Sequence, residues 1–406
     1  MGEAVSQSTG LPELAFDAGF FRDPHTRLGA LRAEGAEAVF LPRMSTAMFL
    51  SFESVHDVLL GRNFGAMGAA YYEQQGWTEG PYIDWLRRTV VFLDPPVHDR
   101  LRGLMNRAFT PRQVARVRPI TQRIAARLAD AAADAVHVDL YDAFAQKLPL
   151  QVICEVIGIP EVDFEQMGRW TEALSVATGY PTDEDRVRAD AAMVGLSDYA
   201  ADLIRARRAS PADDLLSALI EVEEAGERLS PEELVAMIAQ MLYAGHETTR
   251  NLIGNGLFCL LEFPDQLAAL RADPPRMEAA VEEMLRFEPP IIYLSRLVRE
   301  DCEHAGVALA KGQLILVSLS AANRDPRRFD RPERFDIGRA DNRHLSFGFG
   351  AHFCVGASIA RMEGSVAFET LLDRFATIEW DGAEPRWAGD TALRTLEAFP
   401  LHLRAA

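Results

Sequence analysis

One stretch constrains this chain more than any other: Phe347-Gly348-Phe349-Gly350-Ala351-His352-Phe353-Cys354-Val355-Gly356. It sets a single thiol among glycines. Beyond Gly356, apolar residues recur at Ala357, Ile359, Ala360, Met362, Val366, Phe368, Leu371 and Leu372, the spacing of a helix with a buried face. Cys354 therefore stands at a helix N-terminus, where unpaired N–H groups and the helix dipole favour a thiolate. Gly348 and Gly350 let the backbone approach something flat and large. A thiolate on such a loop suits an axial metal ligand. The plainer reading is a small buried hydrophobe, the usual state of a free cysteine.

A second stretch reads as one long helix. Ser230-Pro231-Glu232-Glu233 is a capping box with proline at the first helical position. Leu234, Ile238, Met241, Leu242, Leu252, Ile253, Leu257 and Leu260 carry the pattern to Phe263, where Pro264 stops it. Such a helix spans about 50 Å at about 1.5 Å per residue. Being apolar on most sides, it runs through the interior. In its middle stands Ala244-Gly245-His246-Glu247-Thr248-Thr249. Glycine and paired threonines are poor helix formers, and a threonine hydroxyl can bond back to the preceding turn. The combination predicts a polar notch in an apolar rod.

These stretches resemble the cytochrome P450 family. Phe347, Gly350, His352, Cys354 and Gly356 match its haem-binding loop. The resemblance implies a mainly α fold with small β-sheets and a long central helix over a non-covalent haem b. It implies Cys354 as the axial iron ligand, Phe347 beside the sulfur, and Gly348 and Gly356 in the cofactor loop. His352 would contact a haem propionate. The notch resembles the family's oxygen-binding segment, with Glu247 as the acid that relays protons and Thr248 as the alcohol. Ala244, one turn earlier, would face haem and substrate. Asp94-Pro95-Pro96 opens a helix on which His98 and Arg102, four apart, share a face. The family sends such a pair to a propionate, and Arg296 matches a further propionate contact. Glu283 and Arg286, with the later Pro332-Glu333-Arg334-Phe335, resemble a buried Glu–Arg–Arg network of Glu283, Arg286 and Arg334. Ile291, Ile292, Leu294 and the late Leu396 would line the substrate side.

The rest of the chain gives organisation. Residues 1–15 read as a flexible tail and 16–406 as a single catalytic domain. A short helix is expected over 24–31, a hairpin over 38–41 and 48–51, and a helix over 53–60. Tyr71, Tyr72, Trp77, Tyr82 and Trp85 crowd a loop, 64–92, that is either a lid or binding loop or a variable surface loop with buried anchors. Residues 140–157 are apolar enough for core, and helices over 161–177 and 186–207 flank a loop at 178–182. Strands 307–309 and 314–317 read as a hairpin about Lys311-Gly312.

Composition excludes several classes. A net charge of −18 argues against a nucleic-acid binder. Cys154, Cys259, Cys302 and Cys354 show no zinc or disulfide spacing, and no CxxCH would tether haem covalently. No apolar run reaches membrane-spanning length, so a cytoplasmic monomer is expected. Arg100, Arg102, Arg107, Arg112, Arg116 and Arg118 form a basic run, either a docking patch for an acidic electron donor or a solvated helix face. The expected function is a monooxygenase that inserts one oxygen atom of O2 into a small organic substrate by hydroxylation or epoxidation, with electrons from ferredoxin and its reductase. Oxidative coupling, desaturation, a peroxide-driven reaction and a haem-based gas sensor or carrier are the alternatives. The acid–alcohol pair argues against the last two. The substrate side suits a mid-sized, partly apolar molecule, whether terpene, macrolide, peptide or aromatic.

Overall fold

The structure is a computed structural model that describes residues 10–109, 111–133, 137–177, 179, 181–224, 229–382, 385–389 and 391–406. Its contacts divide into two compact units. The first comprises Met1–Met67, Gly254–Cys354 and Glu384–Ala398; the second comprises Gly68–Ile253, Val355–Ala383 and Phe399–Ala406.

The first unit is built on a five-stranded sheet. Its spatial order is Ala38–Leu41, Thr46–Phe49, Leu314–Ser318, Tyr293–Val298 and Phe64–Gly65. All pairings are antiparallel except that of Thr46–Phe49 with Leu314–Ser318. The central Leu314–Ser318 is apolar on successive residues because both faces are covered. Ile315 and Val317 pack on one side with Val55, Val58 and Leu59 of the helix Phe52–Leu60. Leu316 packs on the other with Phe16, Phe20, Phe21 and Leu28. The alternation is the two-residue period of a strand, and each buried side chain contributes about 1.5–3 kcal/mol.

Two expectations about this unit are corrected. Val307–Leu309 and Leu314–Ser318 do not pair with each other; the first pairs with Cys302–His304 and the second with Tyr293–Val298 and Thr46–Phe49. The Lys311-Gly312 turn exists, but its Gly312 N–H donates to Val298 O at 2.7 Å. Residues 12–14, expected in the flexible tail, also pair with the sheet. Leu14 N–H donates to Phe40 O and Phe40 N–H to Pro12 O, both at 2.9 Å, and Leu14 is buried.

The second unit is helical, with a small sheet of His137–Asp139, Pro400–Ala405 and Phe375–Trp380. Its longer helices are Val97–Ala108, Pro111–Ala133, Lys147–Ile157, Phe164–Val176, Asp183–Ala209 and Ala357–Arg374, and it holds most of Pro231–Glu262. The capping box at the start of that last helix forms as read: Glu233 N–H donates to Ser230 Oγ at 3.1 Å, and Ser230 N–H to Glu233 Oε2 at 2.9 Å. The aromatic segment folds into the short helices Ala70–Gln74 and Pro81–Leu86, with all five rings buried as anchors. Of the expected loop at 178–182, positions 178 and 180 lie outside the described residues. Among the described residues no helix is long and apolar enough to cross a membrane.

Candidate active site

In the first unit the cysteine loop is tied down through its backbone. Cys354 N–H donates to Phe347 O at 2.9 Å and Gly348 N–H to Leu345 O at 2.8 Å. Asn323 accepts from Leu345 N–H at 2.8 Å, and its amide donates to Ser346 Oγ at 2.8 Å. Ser346 Oγ in turn donates to Leu285 O at 2.6 Å. Gly348 and Gly350 both lie at φ 70°, in the left-handed region that glycine tolerates. At Gly350 a Cβ would come within 2.9 Å of Leu59 O. Its glycine thus serves the packing of the loop on the helix Phe52–Leu60, a role the sequence did not suggest. Gly356 caps Ala357–Arg374 at φ −84°, which any residue adopts. Cys354, Phe347 and His352 are half-buried, and the flanking Phe349 and Phe353 rings are 38% and 40% exposed.

The loop's support is a buried charge network. Glu283 holds Arg286 through two bonds of 2.8 Å, and also accepts from Asp336 N–H at 2.8 Å and Asn342 Nδ2 at 3.2 Å. The second guanidinium is that of Arg339, whose Nε is 3.1 Å from Glu283 Oε2. The expected third member, Arg334, is corrected: its side chain is exposed and only its carbonyl takes part, accepting from Arg286 at 3.1 Å and Arg339 at 3.0 Å. Arg286 also donates to Asn323 O and Pro332 O at 2.9 Å, which links the network to the residue that anchors the cysteine loop.

A second cluster was not foreseen. Glu288, read only as the end of a helix, is buried against Arg394 at 2.6 Å, His25 at 3.0 Å and Arg324 at 3.6 Å. Burial alone would push this carboxyl up; His25, Arg394 and Arg324 outweigh it and hold it well below the usual carboxylate range. Arg296 is buried on Tyr293–Val298, with Nη1 donating to Ser295 O at 2.9 Å. Ile291 and Leu294 are half-buried and Leu396 is buried. Ile292 is corrected: it stands in the bend before Tyr293–Val298 and sits in the core with Phe20, Phe21 and Leu316.

In the second unit, His98 is buried with Nδ1 donating to Asp99 Oδ1 at 2.9 Å, and Arg102 is half-buried one turn on. On the long helix Thr248 Oγ1 donates to Ala244 O at 2.8 Å, the expected back-bond. Leu242, His246, Glu247 and Thr249 are buried, yet Ala244 is exposed and Tyr243, Gly245 and Thr248 are half-buried. One face of the helix therefore lines open space at its middle. Glu247 lies on the covered face, with Oε2 accepting from Arg250 at 2.6 Å. Burial pushes its carboxyl up despite Arg250, and Ser175 also bonds it.

The sequence pattern of the family described as Cytochrome P450 matches residues 40–386. The chain belongs to the cytochrome P450 family. It is 39% identical to Cytochrome P450 107B1 of Saccharopolyspora erythraea over 406 residues, covering 96% of this chain and 97% of the relative. It is 41% identical over 313 residues to 6-deoxyerythronolide B hydroxylase of the same organism, covering 76% of each. The crystal structure of CalO2 superposes with a TM-score of 0.89 at 29% identity, covering 96% of this chain and 98% of that one. The protein is a monooxygenase by family, and the family binds haem b non-covalently through a cysteine thiolate. The residues of this P450 suit that group. Its cysteine loop presents apolar rings around a half-buried thiol, its central helix turns Ala244 and Thr248 to open space, and His98, Arg102, Arg296 and His352 are cations or donors matched to carboxylates.

His246 beside the notch gives a pH prediction. Its Nε2–H donates to Gln146 O at 3.1 Å and its Nδ1 lies 3.0 Å from Thr171 Oγ1. Burial and then Arg250 push the imidazole down to about 3. The unfolded chain takes up this proton near pH ~6.5, so the stabilisation is complete above that value and is lost as pH falls toward about 3. Between pH ~6.5 and ~5 the loss is about 2 kcal/mol, at ~1.4 kcal/mol per unit. Urea unfolding of wild type and His246→Gln should show their stability difference shrinking by that amount; a constant difference would remove His246 from the acid response.

Proposed function

We propose that this P450 hydroxylates a mid-sized, partly apolar molecule of secondary metabolism, using Cys354 as the iron ligand and Thr248 with Glu247 to deliver protons. The observation that carries the reading is the backbone-anchored Cys354 loop, and the helix whose exposed middle presents Thr248 supports it separately. Haem, when bound, supplies the redox chemistry that activates O2. His98, Arg102, Arg296 and His352 would hold its propionates, and Phe347, Gly348 and Gly356 would shape the loop near the sulfur. Ala244, Ile291, Leu294 and Leu396 line the substrate side and exclude water. The relative named for hydroxylation of 6-deoxyerythronolide B supports this substrate size.

Thr248 already gives its proton to Ala244 O, so its oxygen faces the open side as an acceptor, and it donates there by turning about one side-chain bond. Burial raises the Glu247 carboxyl toward the range in which it can exchange a proton, and Arg250 holds it until it turns outward. Thr248→Ala should bind substrate, accept electrons and consume O2, but release more hydrogen peroxide and less product. Glu247→Gln should slow turnover instead. The measurement is product formed per reduced nicotinamide consumed. Equal coupling in wild type and Thr248→Ala would overturn the assignment of this alcohol.

Electrons come from a ferredoxin-type partner and its reductase, docking near Arg100–Arg118. Among the described residues, Arg100 faces Glu233, Arg116 faces Asp213, and Arg118 lies 3.8 Å from Glu369. Such exposed pairs are worth under about 1 kcal/mol and exchange readily for a partner's acids. Reduction by a ferredoxin should slow as salt rises, since exposed charges are screened within about 10 Å at ~0.1 M. A salt-independent rate would exclude this patch.

A further inference from the structure

The small sheet of the second unit sets two histidines directly opposite each other. His402 of Pro400–Ala405 pairs with His137 of His137–Asp139, and on its other side with Glu379 of Phe375–Trp380. Direct cross-strand partners share a face, with Cβ atoms about 4.5–5.5 Å apart. Leu401, Leu403 and Ile378 alternate with them and are buried, so the histidines lie on the outer face. There His137 and Glu379 are exposed and His402 is half-buried. Sheet formation alone does not ask for this pair, since exposed strand positions favour Thr, Val or Ile. The two rings lie 5.2 Å apart between centroids, at 48°. That spacing fits one shared ion. With metal–nitrogen bonds of about 2.0–2.1 Å each centroid stands about 3.2 Å from the metal, and a tetrahedral angle then sets the two centroids about 5.2 Å apart. A square-planar ion asks for about 4.5 Å.

A third residue prepares the ligand. Asp381 Oδ1 lies 3.0 Å from His137 Nδ1. A carboxylate only accepts, so Nδ1 carries the hydrogen and the lone pair of the neutral ring sits on Nε2. A carboxylate placed in this way orients a metal-binding imidazole and strengthens it as a donor. Glu379 and Asp381 bring two carboxylates to a chain of net charge −18, and they outnumber Arg404, the next residue along the same face. The pair also holds a particular place in the fold. It is the terminal pair of three, after Asp139 with Pro400 and Val138 with Leu401, between a three-residue strand and the C-terminal strand.

We propose that His137 and His402 form a zinc site, with Asp381 orienting His137 and water completing the shell. Among the described residues no three His, Cys, Asp or Glu side chains converge on one point, so the protein contributes two ligands. Two ligands make an exchangeable site, unlike the closed four-ligand sites that fold small domains. The bound ion clamps the open end of the ladder and ties Pro400–Ala405 to His137–Asp139.

The test is equilibrium dialysis of the untagged holoenzyme against Zn2+ in the micromolar range, with metal counted per haem and thermal unfolding followed at the same concentrations. One ion per protein is expected, with a rise of a few degrees in the unfolding midpoint at saturation, since the ion binds the folded chain. His137→Gln and His402→Gln should each lose both the ion and the rise. Asp381→Asn should keep the ion but bind it about 10–100-fold more weakly. Mg2+ and Ca2+, which take oxygen ligands, should not displace it. An unchanged reduced-CO spectrum shows that each variant is folded and loaded. A wild type that retains no ion, an ion that survives either histidine variant, or wild-type affinity in Asp381→Asn overturns the site as drawn. Binding with no change in the midpoint overturns the clamp.

Discussion

Glu283→Ala is expected to leave little folded, haem-loaded protein. Its carboxylate is fully buried and compensates two cations, the buried Arg286 and the half-buried Arg339, while also accepting from Asp336 N–H and Asn342. Truncation leaves both guanidinium groups without their counter-charge, and breaking a buried pair in this way costs roughly 3–5 kcal/mol. A single domain has about 5–15 kcal/mol in all, so the loss takes a large share of it. The damage also reaches the haem side. Arg286 holds Asn323 O, and the Asn323 side chain holds Leu345 and Ser346 at the foot of the cysteine loop. Haem content per protein and thermal unfolding are the measurements. Glu283→Gln should lie between, since it keeps an acceptor but not the charge. Arg334→Ala should be nearly neutral, since that side chain is exposed and only its carbonyl is used. A stable, fully loaded Glu283→Ala, or an Arg334→Ala as damaged as Glu283→Ala, would sink this account.

The contrast between Arg334 and Arg339 shows where the sequence stops being legible. Contacts set by a local period could be read directly. The capping box at Ser230, the Thr248 back-bond and the Glu283–Arg286 pair all lie within four residues of each other, so helix geometry fixes them. The partner at longer range could not be read that way. Arg334 and Arg339 stand five apart in an irregular stretch with no period to say which guanidinium turns inward. Glu288 was opaque for the same reason. Its partners His25, Arg324 and Arg394 are distant along the chain, and only the tertiary fold brings three cationic or imidazole groups onto one carboxylate. Strand pairing failed likewise at 307–317. A turn signal such as Lys311-Gly312 marks a reversal, but it does not name the neighbours that each strand finds in a mixed sheet. The aromatic segment was a case of two open readings. All five rings are buried, and ring hydroxyls and indole N–H groups found partners inside, which the sequence alone could not say.

Cys354→His is expected to abolish the red-shifted Soret band that the reduced, CO-bound protein shows when a thiolate holds the iron. Four cysteines could in principle supply that thiolate. Burial pushes the thiols of Cys154 and Cys259 up, so both stay protonated inside apolar surroundings. Cys302 stands on the strand Cys302–His304, and burial and then Asp301 push its thiol up as well. Cys354 alone precedes a helix N-terminus, where Ala360 N–H is the donor to Gly356 O and the N–H groups of the first turn are left for an anion. Imidazole is neutral, so a histidine in its place still binds iron but withdraws the anionic charge that favours O–O cleavage. The variant should therefore retain haem through the His98, Arg102, Arg296 and His352 contacts while losing both the band and oxygen insertion. Cys302→Ser serves as the control and should keep both. Persistence of the thiolate band in Cys354→His would assign the ligand to another cysteine and overturn the site as drawn.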